Sequence, residues 1–131
     1  MWAYTTADVF HHELFKKVDD HIVASNILDQ FDPQGLANTV WAYAKAGIHC
    51  PGLFEKVADH IVKSDGLNRF NPQELANTVW SYAKAGIHHL KLFEKVADRI
   101  VASNIFDRFN YQDLANTAWA FAVAGVDVPF H

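Results

Sequence analysis

The sequence predicts an all-α fold, a right-handed α-solenoid of antiparallel helix pairs with a 39-residue repeat. Three observations predict it. The string LANTVWAYAKAG at Leu36–Gly47 returns as LANTVWSYAKAG at Leu75–Gly86 and as LANTAWAFAVAG at Leu114–Gly125. Leu36, Leu75 and Leu114 are 39 residues apart, as are Trp2, Trp41, Trp80 and Trp119, and a period of this size marks a stacked repeat. Between these strings lies a second one, LFEKVAD at Leu53–Asp59 and Leu92–Asp98, with LFKKVDD at Leu14–Asp20, whose apolar spacing is also helical.

Each element can be justified from local signals. Asp32, Asn71 and Asn110 stand four residues before the LANT strings and are good N-cap residues, with Pro33 and Pro72 following at the first helical position. Glu74 and Asp113 fall where a capping box needs an acceptor. Gly47, Gly86 and Gly125 supply the left-handed residue that stops a helix. Helix A is therefore expected at residues 33–46, 72–85 and 111–124. After a short loop, helix B starts near Gly52. Its apolar residues Leu53, Phe54, Val57, Ala58, Ile61 and Val62 fill half a helical wheel, and Glu55, Lys56, Asp59 and Lys63 fill the solvent half. Linker residues Leu28/Phe31, Leu67/Phe70 and Phe106/Phe109 are expected to plug the seams. The order reads as a short A stub (WAYTTAD, Trp2–Asp8), a loop at His11-His12, then B, A, B, A, B, A.

As domains, this gives a single helical-repeat unit over residues 1–131: a partial repeat 1–35, full repeats 36–74 and 75–113, and a partial repeat 114–131. A chain that opens and closes inside a repeat is expected to be a piece of a longer array, and bare apolar ends would self-associate. Half of the residues are apolar, enough for a continuous core. One cysteine, Cys50, excludes an internal disulfide framework. No apolar run approaches the ~20 residues of a membrane span. The net charge of −4 argues against a strongly basic nucleic-acid footprint.

Helix A shows two apolar stripes and a narrow remaining line, Gln34, Asn38, Ala42 and Lys45. That pattern suits an inner helix whose lines, side by side, make one concave surface. Along it runs the column Asn38, Asn77 and Asn116. A carboxamide donates and accepts at once, so it matches a nucleobase edge, and one per repeat is how helical RNA-reading repeats work. Read from the residues alone, an architectural ladder of asparagines is the preferred explanation of the column. Lys45 and Lys84 suit phosphates or, equally, a helix C-terminus. No Asp or Glu lies within any of the three LANT strings. The tryptophans read first as packing residues between repeats, second as stacking surfaces. His49, Cys50, His88 and His89, with His11 and His12, offer too few ligands per loop for a metal centre, and His21, His60 and Arg99 form a column read as solvated. No nucleophile recurs beside a base and no glycine-rich phosphate loop is present, so neither an enzyme nor a cofactor is expected.

The string P-Q-x-L-A-N-T-x-W-A-Y-A-K-A-G followed by L-F-E-K-V-A-D resembles the octotricopeptide repeats of algal organelle proteins. It is also similar to the helical repeats of FAST-kinase-like and RAP-domain mitochondrial proteins, and to those of a subunit of the kinetoplastid RNA-editing substrate-binding complex. The resemblance covers essentially the whole chain. It implies a non-catalytic module that binds single-stranded organellar RNA, alone or within a ribonucleoprotein complex, and serves RNA processing, stability, editing or translation in a mitochondrion or chloroplast. The RNA-facing positions it implies are Gln34, Asn38 and Lys45; Gln73, Asn77, Ser81 and Lys84; and Gln112 and Asn116. The chain departs from those families in lacking a RAP or other C-terminal domain, in a weakly basic groove, and in carrying the same asparagine in every copy. A protein-interaction scaffold is the alternative reading.

Overall fold

A computed structural model gives the structure and describes residues 2–63, 65–103 and 105–127. The Trp2 and His11 side chains lie outside the described set. Among the described residues the chain is all-α, with six α-helices and no strand: α1 (Trp2–Ala24), α2 (Pro33–Ala46), α3 (Pro51–Lys63), α4 (Pro72–Ala85), α5 (Leu90–Ser103) and α6 (Tyr111–Asp127). Short 3-10 turns at Ile27–Gln30, Asp65–Arg69 and Phe106–Arg108 carry the linkers.

Local chemistry sets the ends of the A helices. The Asp32 carboxylate accepts from the Gly35 amide, and Asn71 and Glu74 form a reciprocal capping box. Asn110 and Asp113 exchange the same two bonds. Gly47 and Gly86 adopt φ of 73° and 74°, so the Ile48 and Ile87 amides reach back to the Tyr43 and Tyr82 carbonyls. This left-handed geometry favours glycine, and it folds the chain back into the next helix.

The helices form two rows. In one row the backbones of α2, α4 and α6 run side by side, approaching within 8 Å; in the other, α3 lies between α1 and α5. An aromatic edge contact joins the rows in each pair: Phe15–Tyr43, Phe54–Tyr82 and Phe93–Phe121, with ring centroids 4.8, 4.9 and 5.2 Å apart. The first two also carry a hydrogen bond across the rows, since the Tyr43 hydroxyl donates to the Phe15 carbonyl at 2.5 Å and Tyr82 to Phe54 at 2.6 Å. Leu28, Leu67, Phe70 and Phe109 are buried in the seams as expected, whereas Phe106 is exposed.

Two boundaries differ from the sequence expectation. The A stub and the first B helix are one continuous helix, α1, so His11 and His12 sit within a helix and not in a loop. The residue in register with Gly47 and Gly86 is Asp8, which does not favour the left-handed stop, and the helix runs through. At the other end Gly125 does not terminate α6, which continues to Asp127. At Gly47 and Gly86 the turn leads into a following B helix packed on the core; α6 is followed by no such helix among the described residues.

The solvent side of helix B also needs correction. Lys56 leaves solvent, and its ammonium donates to the Ile22, Val23 and Ser25 carbonyls at 2.9, 2.7 and 2.6 Å. It thereby satisfies the open C-terminal end of α1 from the neighbouring pair. Arg99, read as solvated, donates to the Leu67 and Phe70 carbonyls. His60, in register with Arg99, faces Asp29 at 3.6 Å.

Candidate nucleic-acid interface

The α2–α4–α6 row carries the residues expected to face RNA. Gln34, Gln73 and Gln112 are exposed in the first turns, and Lys45 and Lys84 in the last turns. Asn38 is exposed, while Asn77 and Asn116 are half-buried. Ser81 does not belong with them. It is fully buried, and its hydroxyl donates to the Asn77 carbonyl at 2.6 Å. Its counterpart Ala120 is buried too, and Ala42 is half-buried. This column of small residues lies in the seam and lets the A-helix backbones come close.

The exposed line therefore runs one position aside, through Gln34, Asn38, Trp41 and Lys45 on α2. Trp41 and Trp119 are 40% and 43% exposed, so the indoles are not simply core, as the packing reading had it. Trp80 is half-buried and lies 6.3 Å from Trp119, so equivalent positions on α4 and α6 are in register. Each indole thus packs along the row while keeping surface for solvent. The Thr39 and Thr78 hydroxyls are committed to the Gly35 and Glu74 carbonyls of their own helices. The line offers amides, indoles and two ammonium groups, and no carboxylate comes from the LANT strings.

The strongest cluster of titratable groups lies at the start of α5. There the Leu92 amide donates to His89 Nδ1 at 3.1 Å, capping the helix, and Nε2 lies 3.1 Å from an Asp59 oxygen and 3.8 Å from Glu55. One histidine and two acids are a recognisable ligand set. The cap decides against that use, because it leaves Nδ1 as acceptor and places the proton on Nε2. A metal on Nε2 would need that proton on Nδ1, facing the Leu92 N–H donor. His89 is instead a hydrogen-bonded link from α5 to α3.

Cys50 holds the corresponding place before α3. Burial, then the Asp19 carboxylate, pushes its thiol from an ordinary 9.0 up to about 11. Two units leave about 100-fold less thiolate near pH 8 than an exposed thiol would have. Native Cys50 is expected to react with a chromogenic disulfide at pH 8 roughly tenfold more slowly than in denaturant, as measured by absorbance, because the greater nucleophilicity of a high-pKa thiolate offsets part of the lost thiolate fraction. The protonated thiol's contribution to stability is complete below pH 9 and is lost as pH rises towards 11.

The profile of a family described as a protein of unknown function (DUF1601) matches residues 23–40, 66–79 and 101–117. No curated protein and no solved structure matches the chain. Each matched stretch runs through a 3-10 turn into the first half of α2, α4 or α6. The similarity therefore covers the seams and the Asn38, Asn77 and Asn116 column. Trp41, Lys45 and their counterparts lie outside it.

Proposed function

We propose that the chain is a non-catalytic RNA-binding module, a right-handed α-solenoid with a 39-residue repeat, whose A-helix row takes single-stranded RNA. One observation carries the reading: Asn38 with Lys45 and Asn77 with Lys84 recur on adjacent helices, beside part-exposed indoles, on a strip whose LANT strings contain no carboxylate. Lysines hold phosphates, asparagines and glutamines touch bases, and indoles offer stacking surface worth ~1–3 kcal/mol per base where it is used. Identical asparagines in each copy give little basis for choosing a sequence. A role in organellar RNA processing, stability, editing or translation, within a ribonucleoprotein complex in a mitochondrion or chloroplast, rests on the octotricopeptide-like resemblance alone.

Fluorescence anisotropy with a labelled single-stranded RNA tests this. With two lysine–phosphate contacts, log affinity should fall with log salt at a slope of about −1.4. The paired change Lys45→Ala and Lys84→Ala should flatten that slope, and Asn38→Ala with Asn77→Ala and Asn116→Ala should weaken binding at every salt concentration. Absence of binding at low salt sinks the reading. Co-purification of a stoichiometric protein that resists ribonuclease would favour a scaffold.

A further inference from the structure

Two apolar residues on the outer side of the last helix pair, Leu114 and Phe106, have covered counterparts elsewhere in the same chain. Leu36 and Leu75 are 5% and 0% exposed, whereas Leu114, in the same register, is 40% exposed. Leu28 and Leu67 are buried, whereas Phe106 is 51% exposed. Val101 on α5 is 77% exposed, against 44% for Val23 and a half-buried Val62 in the same register. Together with Ile100, Phe109 and Phe121, the residues Leu114, Phe106 and Val101 line an open apolar cavity of about 430 Å³. On α1–α2 and on α3–α4, the corresponding surface is covered by the next helix pair.

The opposite end shows the complementary pattern. Leu53 and Leu92 are fully buried, while Leu14 is 57% exposed; Val57 and Val96 are fully buried, while Val18 is 37% exposed. Lys17 is in register with Lys56, the side chain that reaches back to satisfy the C-terminal carbonyls of the preceding B helix. Lys17 is exposed on this end, and α5 ends at the other with carbonyls that a helix leaves open. The two ends are thus the two halves of a junction whose apolar part the chain makes twice internally and whose lysine clasp it makes at Lys56.

We propose that a second copy of this chain covers the α5–α6 face with its own α1–α2 pair, head to tail. Leu14 and Val18 of one copy would enter the groove beside Val101 and Leu114 of the other, and Lys17 would reach the end of α5. Such a contact is heterologous. Each addition leaves both end types available, so assembly does not stop at a dimer. The occupant is set by what covers the equivalent faces inside the chain, and the inference does not depend on RNA binding.

Sedimentation velocity of the full chain without nucleic acid, from low micromolar to several hundred micromolar, tests it. The wild type should grow in mass beyond the dimer as concentration rises. Leu14→Lys and Leu114→Lys change residues that are exposed in the single chain, and each variant alone should remain monomeric. An equimolar mixture of the two should form a heterodimer and stop there, because one sound face of each kind remains. Lys17→Ala should weaken assembly while leaving its helical circular dichroism unchanged. A wild type that is monomeric throughout overturns the proposal. So does dimerisation of either charge variant alone, which would mean a symmetric contact, and so does a mixture that stays monomeric.

Discussion

Tyr82→Ala should remove ~3–5 kcal/mol of stability, a large share of what a domain of this size has. The ring is fully buried, stands edge-on to Phe54 at 4.9 Å, and its hydroxyl donates to the Phe54 carbonyl. Truncation opens a cavity between the two rows and removes the only side-chain hydrogen bond described from α4 to α3. Tyr82→Phe separates the two effects. It keeps the ring and loses the hydroxyl bond, at about 1 kcal/mol. The chain contains a natural precedent, since Phe93–Phe121 makes the same edge contact without a hydroxyl. Urea denaturation should show the midpoint falling far more for alanine than for phenylalanine, at unchanged slope. Equal losses in the two variants would mean that the hydroxyl, and not the ring, couples the rows.

Lys56→Met should cost about 2 kcal/mol, more than any exposed charge on helix B. Its ammonium satisfies three carbonyls at the end of α1, and charge-assisted bonds are worth ~1.5–3 kcal/mol when buried. Part of that end is open to water, which places the expectation below a simple sum. Methionine retains most of the apolar stem, so the loss reports on the ammonium. Lys16 is the contrast: it pairs with Asp20 at 3.6 Å with both groups well exposed, and Lys16→Met should change stability by less than about 0.5 kcal/mol. Thermal melts give both numbers, and amide exchange should quicken at the end of α1 only for Lys56→Met. A Lys56 variant as stable as the wild type would mean that water replaces the clasp without loss.

The signals legible in the sequence act within one turn or one period. Asp32, Asn71 and Asn110 cap, and Gly47 and Gly86 stop, because those chemistries depend on neighbours three to six residues away. The same letters at Gly125 do not stop α6, which continues to Asp127. Asp8 in the glycine register is a readable warning that α1 runs on. Lys56 and Arg99 escape the helical wheel because their partners lie in the preceding pair, about thirty residues back, and a wheel sees only its own helix. Ser81 is misplaced for a related reason. An isolated helix puts the polar line through Ser81, and the closeness of α2, α4 and α6 moves it to Trp80.

The cross-row ties are not equal along the chain. Tyr43 and Tyr82 carry a hydroxyl across to the partner helix, but at the third pair Phe121 has only its ring. The pair with the lightest tie also carries the exposed Leu114 and Phe106 on its outer face. Under the head-to-tail proposal, the copy that covers α5–α6 would quiet the least firmly tied pair and gain contact in the same event. The other pairs, held by their tyrosines, can remain still while that end responds.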